Sequence, residues 1–143
     1  MKKYRTSTLY MNSRRNIITV ILILSYAFCF SQTQMEMNET AFKNYEKADK
    51  ELNTTYQKII KEYSADAEFI KNLKAAQRIW VQFRDAEVKA MYPDREPGYY
   101  GTIQPVCKYN YLTELTEQRI KTLKMWLDGV TEGDVCSGSI KTK

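Results

Sequence analysis

Glycine and proline are confined to one end of this chain. All five glycines and all three prolines lie at or beyond Pro93, so the 57 residues from Glu36 to Tyr92 contain neither. A long stretch without either breaker is free to be helical. Within it Ala41, Tyr45, Ala48, Leu52, Tyr56, Ile59 and Tyr63 recur at spacings of three and four, one apolar face of a helix with Asn38 as its N-cap. A second stripe follows, Phe69, Leu73, Ala76, Trp80, Phe83 and Ala90, interrupted by Glu87. The two stripes fall out of phase around Ser64-Ala65-Asp66, where Ser64 or Asp66 can cap a new helix. The pattern predicts a helical hairpin broken near Ser64. A single unbroken helix would leave both stripes without a partner.

Pro93 ends the second helix, because the residue before a proline is steered out of the helical region. A loop to Pro105 comes next, and a third helix is expected over about 108–128. Its inward residues are Leu112, Leu115, Ile120, Leu123 and Leu127, and Gly129 stops it. The expected fold class is all-α, a small bundle of three amphipathic helices around one core spanning residues 36–128, followed by a polar tail over 129–143.

The N-terminus reads as an address. Lys2, Lys3, Arg5, Arg14 and Arg15 precede the 14-residue apolar run Ile17–Phe30, and no acid lies among them. This is the pattern of a secretory signal peptide over 1–31, cut near Ser31. The run falls short of the roughly 20 residues that a spanning helix needs. Phe28 is too large to precede a lipidated cysteine at Cys29, so no stable membrane anchor is expected, and Met11 is an equally good start. Expected localisation is therefore export, periplasmic or secreted. Of 22 basic residues, 17 remain after cleavage against 17 acids, so the net charge of +5 belongs to the leader. A neutral mature domain of residues 32–143 gives no case for nucleic-acid binding.

Cys107 and Cys136 are then an even pair in an oxidising compartment, and a disulfide between them is expected. It would close a loop of about 30 residues and stabilise by roughly 3–4 kcal/mol. Two thiols are the alternative reading. The chain has no histidine, which removes Ser-His and Cys-His nucleophiles, His-containing zinc sites and histidine acid–base chemistry. All five glycines lie in the loop and tail, so no phosphate loop is present, and no EF-hand spacing occurs. Carboxylate pairs able to hydrolyse a glycan, such as Asp49 with Asp85, arise by chance on a helical protein with 17 acids. The sequons Asn38-Glu-Thr40 and Asn53-Thr-Thr55 fall in helix and carry no weight. No enzyme, no metal and no cofactor are expected.

The polar residues of the hairpin are more specific. Asp49 and Asn53 are one turn apart beside Tyr45 and Tyr56. Gln77, Trp80 and Arg84 share a face of the second helix, with Arg78 and Asp85 one heptad apart beside it. A charged pair at the seam, for instance Asp49 with Arg84, would set the register of the two helices.

Three phrases occur in order: Tyr45-x-x-Ala48-Asp49-x-x-Leu52-Asn53-x-x-Tyr56, then Leu73-Lys74-x-Ala76-Gln77-Arg78-x-Trp80-x-x-Phe83-Arg84-Asp85-Ala86-Glu87, then Leu112-x-x-Leu115-Thr116-x-x-Arg119. From about Gln34 to Leu127 the chain resembles the LprI N-terminal-domain family of exported bacterial proteins, long catalogued as a domain of unknown function. The resemblance implies a small helical domain behind a signal peptide, and lysozyme inhibition as its activity. Members often carry cysteines where this chain has Thr40, Val88 and Tyr111, and the turn before the third helix is here reduced to Tyr100-Gly101-Thr102.

An inhibitor of that kind must occlude a cleft whose chemistry is done by two carboxylates. The Pro93–Pro105 loop has a fitting composition, with Arg95, Tyr99 and Tyr100 between prolines, and Arg95 is suited to pair with a cleft carboxylate. Asp128, Glu132 and Asp134 form an acidic patch, expected near that loop, that would attract a basic enzyme. Lysozyme is one expected partner. The alternative is an envelope interaction or stress module that binds a cell-wall or protein partner without inhibiting lysozyme. The oligomeric state is open.

Overall fold

A computed structural model describes the backbone of residues 5–133 and 135–143, and side chains from residue 32 onward except Asp134. The chain divides into two compact units, residues 1–37 and 38–143. Three helices account for most of it: α1 (Arg5–Glu62), α2 (Ala67–Met91) and α3 (Gln104–Asp128). The signal peptide expected over 1–31 lies outside the residues whose side chains are described. Among the described residues no helix is long and apolar enough to cross a membrane. Asn38 is interior to α1 and so caps nothing there.

The unit 38–143 is a three-helix bundle. α1 stops at Glu62, and the turn Tyr63–Asp66 closes with the Asp66 N–H donating to the Tyr63 carbonyl at 2.9 Å. Asp66 is the N-cap of α2, its Oδ1 accepting from the Phe69 N–H at 2.9 Å, and Glu68 sits in the first turn where the helix dipole favours an acid. α2 returns antiparallel to α1 and ends one residue before the Tyr92-Pro93 step, where the proline forbids another turn. α3 starts earlier than the sequence predicts, at Gln104. Pro105 falls in its first turn, where a missing N–H costs nothing. Tyr45 beside Tyr109 and Tyr63 beside Trp126 show that α3 runs parallel to α1.

Leu52, Ile59, Leu73, Ile120 and Leu123 form the core, with Tyr56, Tyr63, Phe69, Trp80, Trp126 and Leu127 packed around it. The α1 stripe lies inward throughout its length. The α2 stripe is rotated from its expected phase: Val88 is buried, whereas Phe83 is 52% exposed, Ile79 61% exposed, and Ala76 and Ala90 face outward. The physical reason is electrostatic. α2 turns inward the face that holds Gln77 and Arg84 together with Leu73, Trp80 and Val88, because the two polar side chains find partners there, and Ala76, Phe83 and Ala90 are left outside. In α3 the fully buried Thr116 joins Leu112, Ile120 and Leu123, its hydroxyl satisfied by donating to the Leu112 carbonyl at 2.7 Å.

The tail is fastened by its backbone. Val130 N–H donates to the Lys141 carbonyl and Lys143 N–H to the Val130 carbonyl, each at 2.9 Å. Gly129 makes this possible, with φ at +72° and the Lys141 oxygen only 2.8 Å from where a β-carbon would stand. The expected Cys107–Cys136 disulfide is absent: both cysteines are exposed thiols. Cys107 lies in the first turn of α3 and Cys136 beyond its last. About 30 Å of helix separates them, far beyond the reach of an S–S bond.

Candidate functional site

Two places gather the residues singled out above. The first is the α2–α3 connection. Gly98 and Gly101, both at positive φ, let the chain fold into consecutive turns, with Tyr99 N–H donating to Glu96 O at 3.1 Å and Gly101 N–H to Gly98 O at 3.0 Å. Tyr100 packs down, its hydroxyl donating to the Pro93 carbonyl at 2.8 Å and its ring edge-on to Tyr92. Tyr99 packs edge-on against Tyr100, their ring centroids 4.9 Å apart, and is still 68% exposed, with the Arg95 guanidinium 5.8 Å from its ring centroid. The loop is therefore a braced projection bearing one tyrosine and one arginine.

Asp128 and Glu132 are not brought to this loop. They lie at the C-terminal end of α3, roughly 35 Å from the Arg95–Tyr99 projection along the helix. Asp134 lies outside the described residues. Position in the chain hid this, because loop and patch both adjoin α3 but at its two ends.

The second place is the middle of the bundle. The Arg84 side chain is only 12% exposed, and its Nη1 donates to Asp49 Oδ1 at 3.3 Å, forming the charged pair expected at the seam. Its Nε and Nη2 both donate to Asp85 Oδ1, at 3.0 and 2.9 Å. Asn53 donates to Asp49 Oδ2 at 3.0 Å and holds that carboxylate in place. The guanidinium also lies 5.9 Å from the Tyr45 ring centroid and 5.5 Å from that of Trp80. Burial lowers the Arg84 pKa, yet the Asp85 hydrogen bond and the neighbouring negative groups together carry it above its ordinary value. Burial likewise pushes up the Tyr45 phenol.

Gln77 reaches α3, where its Oε1 accepts from Arg119 Nε at 3.0 Å, and Arg119 lies 5.9 Å from the same Trp80 ring. Arg78 is exposed and takes no part in the cluster. Arg119 closes the third sequence phrase but had no role assigned to it there. The available signal was an arginine four residues after Leu115, on the inward side of α3. Among the described residues no group of three or more metal-ligating side chains forms.

A three-helix bundle seamed by an arginine–carboxylate cluster and carrying one braced loop describes a small helical domain. Its family is identified by sequence. The chain belongs to the lysozyme inhibitor LprI family, whose model matches residues 30–123. It is 33% identical over 104 residues to an uncharacterized protein of Rhizobium meliloti (strain 1021), covering 64% of this chain and 72% of that protein. In fold it is similar to a DUF1311 family protein from Pseudomonas putida KT2440, with a TM-score of 0.54 at 22% identity, covering 62% of this chain and 88% of the other.

Proposed function

We propose that this protein is an exported, non-enzymatic binding domain that inhibits a lysozyme by inserting the Arg95–Tyr99 projection into its cleft. Membership of the LprI family supplies the target class. The observation that carries the reading is the loop itself: Tyr99 stands exposed on consecutive hydrogen-bonded turns with Arg95 against its ring. A loop already ordered before binding loses little conformational freedom on docking, and tyrosine and arginine are the residues that most often dominate interface energies. The Arg95 fork matches a carboxylate of the cleft. Asp128 and Glu132 lie at the other end of α3 and stand apart from the loop that would enter the cleft.

The test is lysis of a peptidoglycan suspension by several lysozyme classes, with and without the purified protein. Dose-dependent inhibition is expected, and Arg95→Ala with Tyr99→Ala should weaken it by about 30-fold or more, as for the loss of a hot spot of about 2 kcal/mol. Undiminished inhibition by the double variant would reject the loop mechanism.

A second reading has its own observation. Ile79 and Phe83 lie one turn apart, exposed on α2, and the lysozyme reading gives them no task. An envelope module docking a protein partner through α2 would use them. If Ile79→Ser with Phe83→Ser abolished a cellular phenotype while inhibition was unchanged, that reading would take precedence.

A further inference from the structure

Trp80 lies between two arginines with unlike surroundings. Arg84 has its charge balanced by Asp49 and Asp85. Among the described residues, Arg119 on the other helix has a single polar partner, the neutral Oε1 of Gln77. No carboxylate among the described residues lies within ion-pairing distance of Arg119. A half-buried guanidinium without a counter-charge is unusual, because removing it from water is not offset by any attraction. Burial accordingly pushes the Arg119 pKa down, and nothing opposes it.

The group is not sealed off. No buried side-chain nitrogen is left without a partner among the described residues, so the Nη1 and Nη2 atoms of Arg119 reach solvent. Gln77 presents its amide oxygen to Arg119 and so keeps its Nε2 as a further donor. The local inventory is thus one positive charge, several N–H donors and the flank of an indole ring, with no acceptor offered to a ligand.

We infer that Arg119, Gln77 and Trp80 form a receptor for a single carboxylate carried by a ligand. The two terminal nitrogens of a guanidinium match the two oxygens of a planar carboxylate, and a monoanion neutralises one cation without importing excess charge. A phosphate dianion would bring a second negative charge that no other group here balances. The site draws on α2 and α3 together, so an occupied site cross-braces those helices and stabilises the bundle. Arg119 lies about 24 Å along α3 from the loop, and the inference does not depend on lysozyme inhibition.

Acetate is the first probe. With ionic strength held constant, the Arg119 Nε–Hε and Trp80 indole N–H resonances are followed by nitrogen-15 NMR. The Trp126 indole, which donates to Ser139 Oγ at 3.1 Å, serves as an internal control. Saturable shifts at Arg119 and Trp80 are expected with a Kd in about the millimolar range, while Trp126 stays still. Arg119→Lys keeps the charge but loses the fork, and should bind about tenfold more weakly. N-acetylalanine and glucuronate, both monoanions, then separate a peptide from a sugar as the source of the carboxylate, the tighter binder marking the source. Shifts in the unaltered protein that stay linear and unsaturated would overturn the site, whether or not the variant folds. Tighter binding of inorganic phosphate than of acetate would overturn the carboxylate assignment. The Arg95→Ala, Tyr99→Ala protein should titrate unchanged, which separates this site from the loop.

Discussion

The Tyr63 hydroxyl donates to the carbonyl of Trp126 at 2.9 Å, joining the residue after α1 to the last turn of α3. The same oxygen accepts the Lys141 N–H at 3.0 Å, so one phenol holds two helix ends and the tail. Lys141 also pairs with Glu62 through its ammonium group. Tyr63→Phe keeps the ring against Phe69 and removes both hydrogen bonds. It should cost about 1–3 kcal/mol, read as a lower urea midpoint at unchanged slope. Hydrogen exchange at the Lys141 amide should accelerate with it, and an unchanged rate there would show that the tail is held without Tyr63.

Arg84 is expected to contribute more through packing than through charge. Its stem is covered and its head lies near two aromatic rings, whereas Asp49 and Asp85 keep much of their carboxylates in water. Arg84→Ala should destabilise by about 1–3 kcal/mol. A double-mutant cycle with Asp49→Ala should return a coupling of only about 0.5–1 kcal/mol. A coupling several times larger would mean that the ion pair, rather than the packing of the arginine stem, holds the seam.

Alkaline pH should unfold this protein by way of its tyrosines. Burial is the first cause that raises the phenols of Tyr45, Tyr56, Tyr92 and Tyr111. At Tyr111 the charge of Glu87 and the hydrogen bond to it add to the shift. A raised folded pKa means the native state holds these protons longer than the unfolded chain does. The contribution is complete below the ordinary phenol value and is lost as pH rises through the folded values. Urea midpoints should therefore fall above about pH 10, and an ultraviolet titration should show a late-ionising set of tyrosines. A single ordinary phenol transition would contradict this.

The two cysteines should behave as independent thiols. Cys107 and Cys136 are both exposed and lie beyond opposite ends of most of α3. Alkylation of the folded domain of residues 32–143, which lacks Cys29, should add two groups without prior reduction, and reductant should leave the melting temperature unchanged. A reductant-sensitive melting temperature would restore the disulfide.

Helix type, the break near Ser64 and the stop at Gly129 were legible from local chemistry, because breakers and caps act on their own neighbours. The Asp49–Arg84 contact was legible too, since opposite charges on facing stripes have few other ways to be satisfied. The rotation of α2 was legible only in part: Gln77, Trp80 and Arg84 share a face in the sequence pattern, but Ala76, Phe83 and Ala90, which the count of apolar positions puts inward, face out. Thr116 was missed because a hydroxyl bonded within its own helix behaves as a small apolar group. The cysteine pairing and the acidic patch failed for one shared reason. Each linked residues from the two ends of a 25-residue rod, and nothing in a string of residues measures the length of the rod until its ends are known. Export and the partner-binding roles of the loop stay proposals, resting on the leader pattern and on family membership.

The tail pairing of Val130 with Lys141 and Lys143 bears on how the protein can be presented to a partner. It leaves the C-terminal residue at the Tyr63 end of the bundle, the pole opposite the loop that joins α2 to α3. A tether attached through Lys143 to a bead, sensor chip or fusion partner therefore leaves the Arg95–Tyr99 pole clear for binding. Trimming the last few residues would instead remove the acceptor and donor that fasten the tail at the Tyr63 end, so a shortened version tests that clasp before it tests recognition.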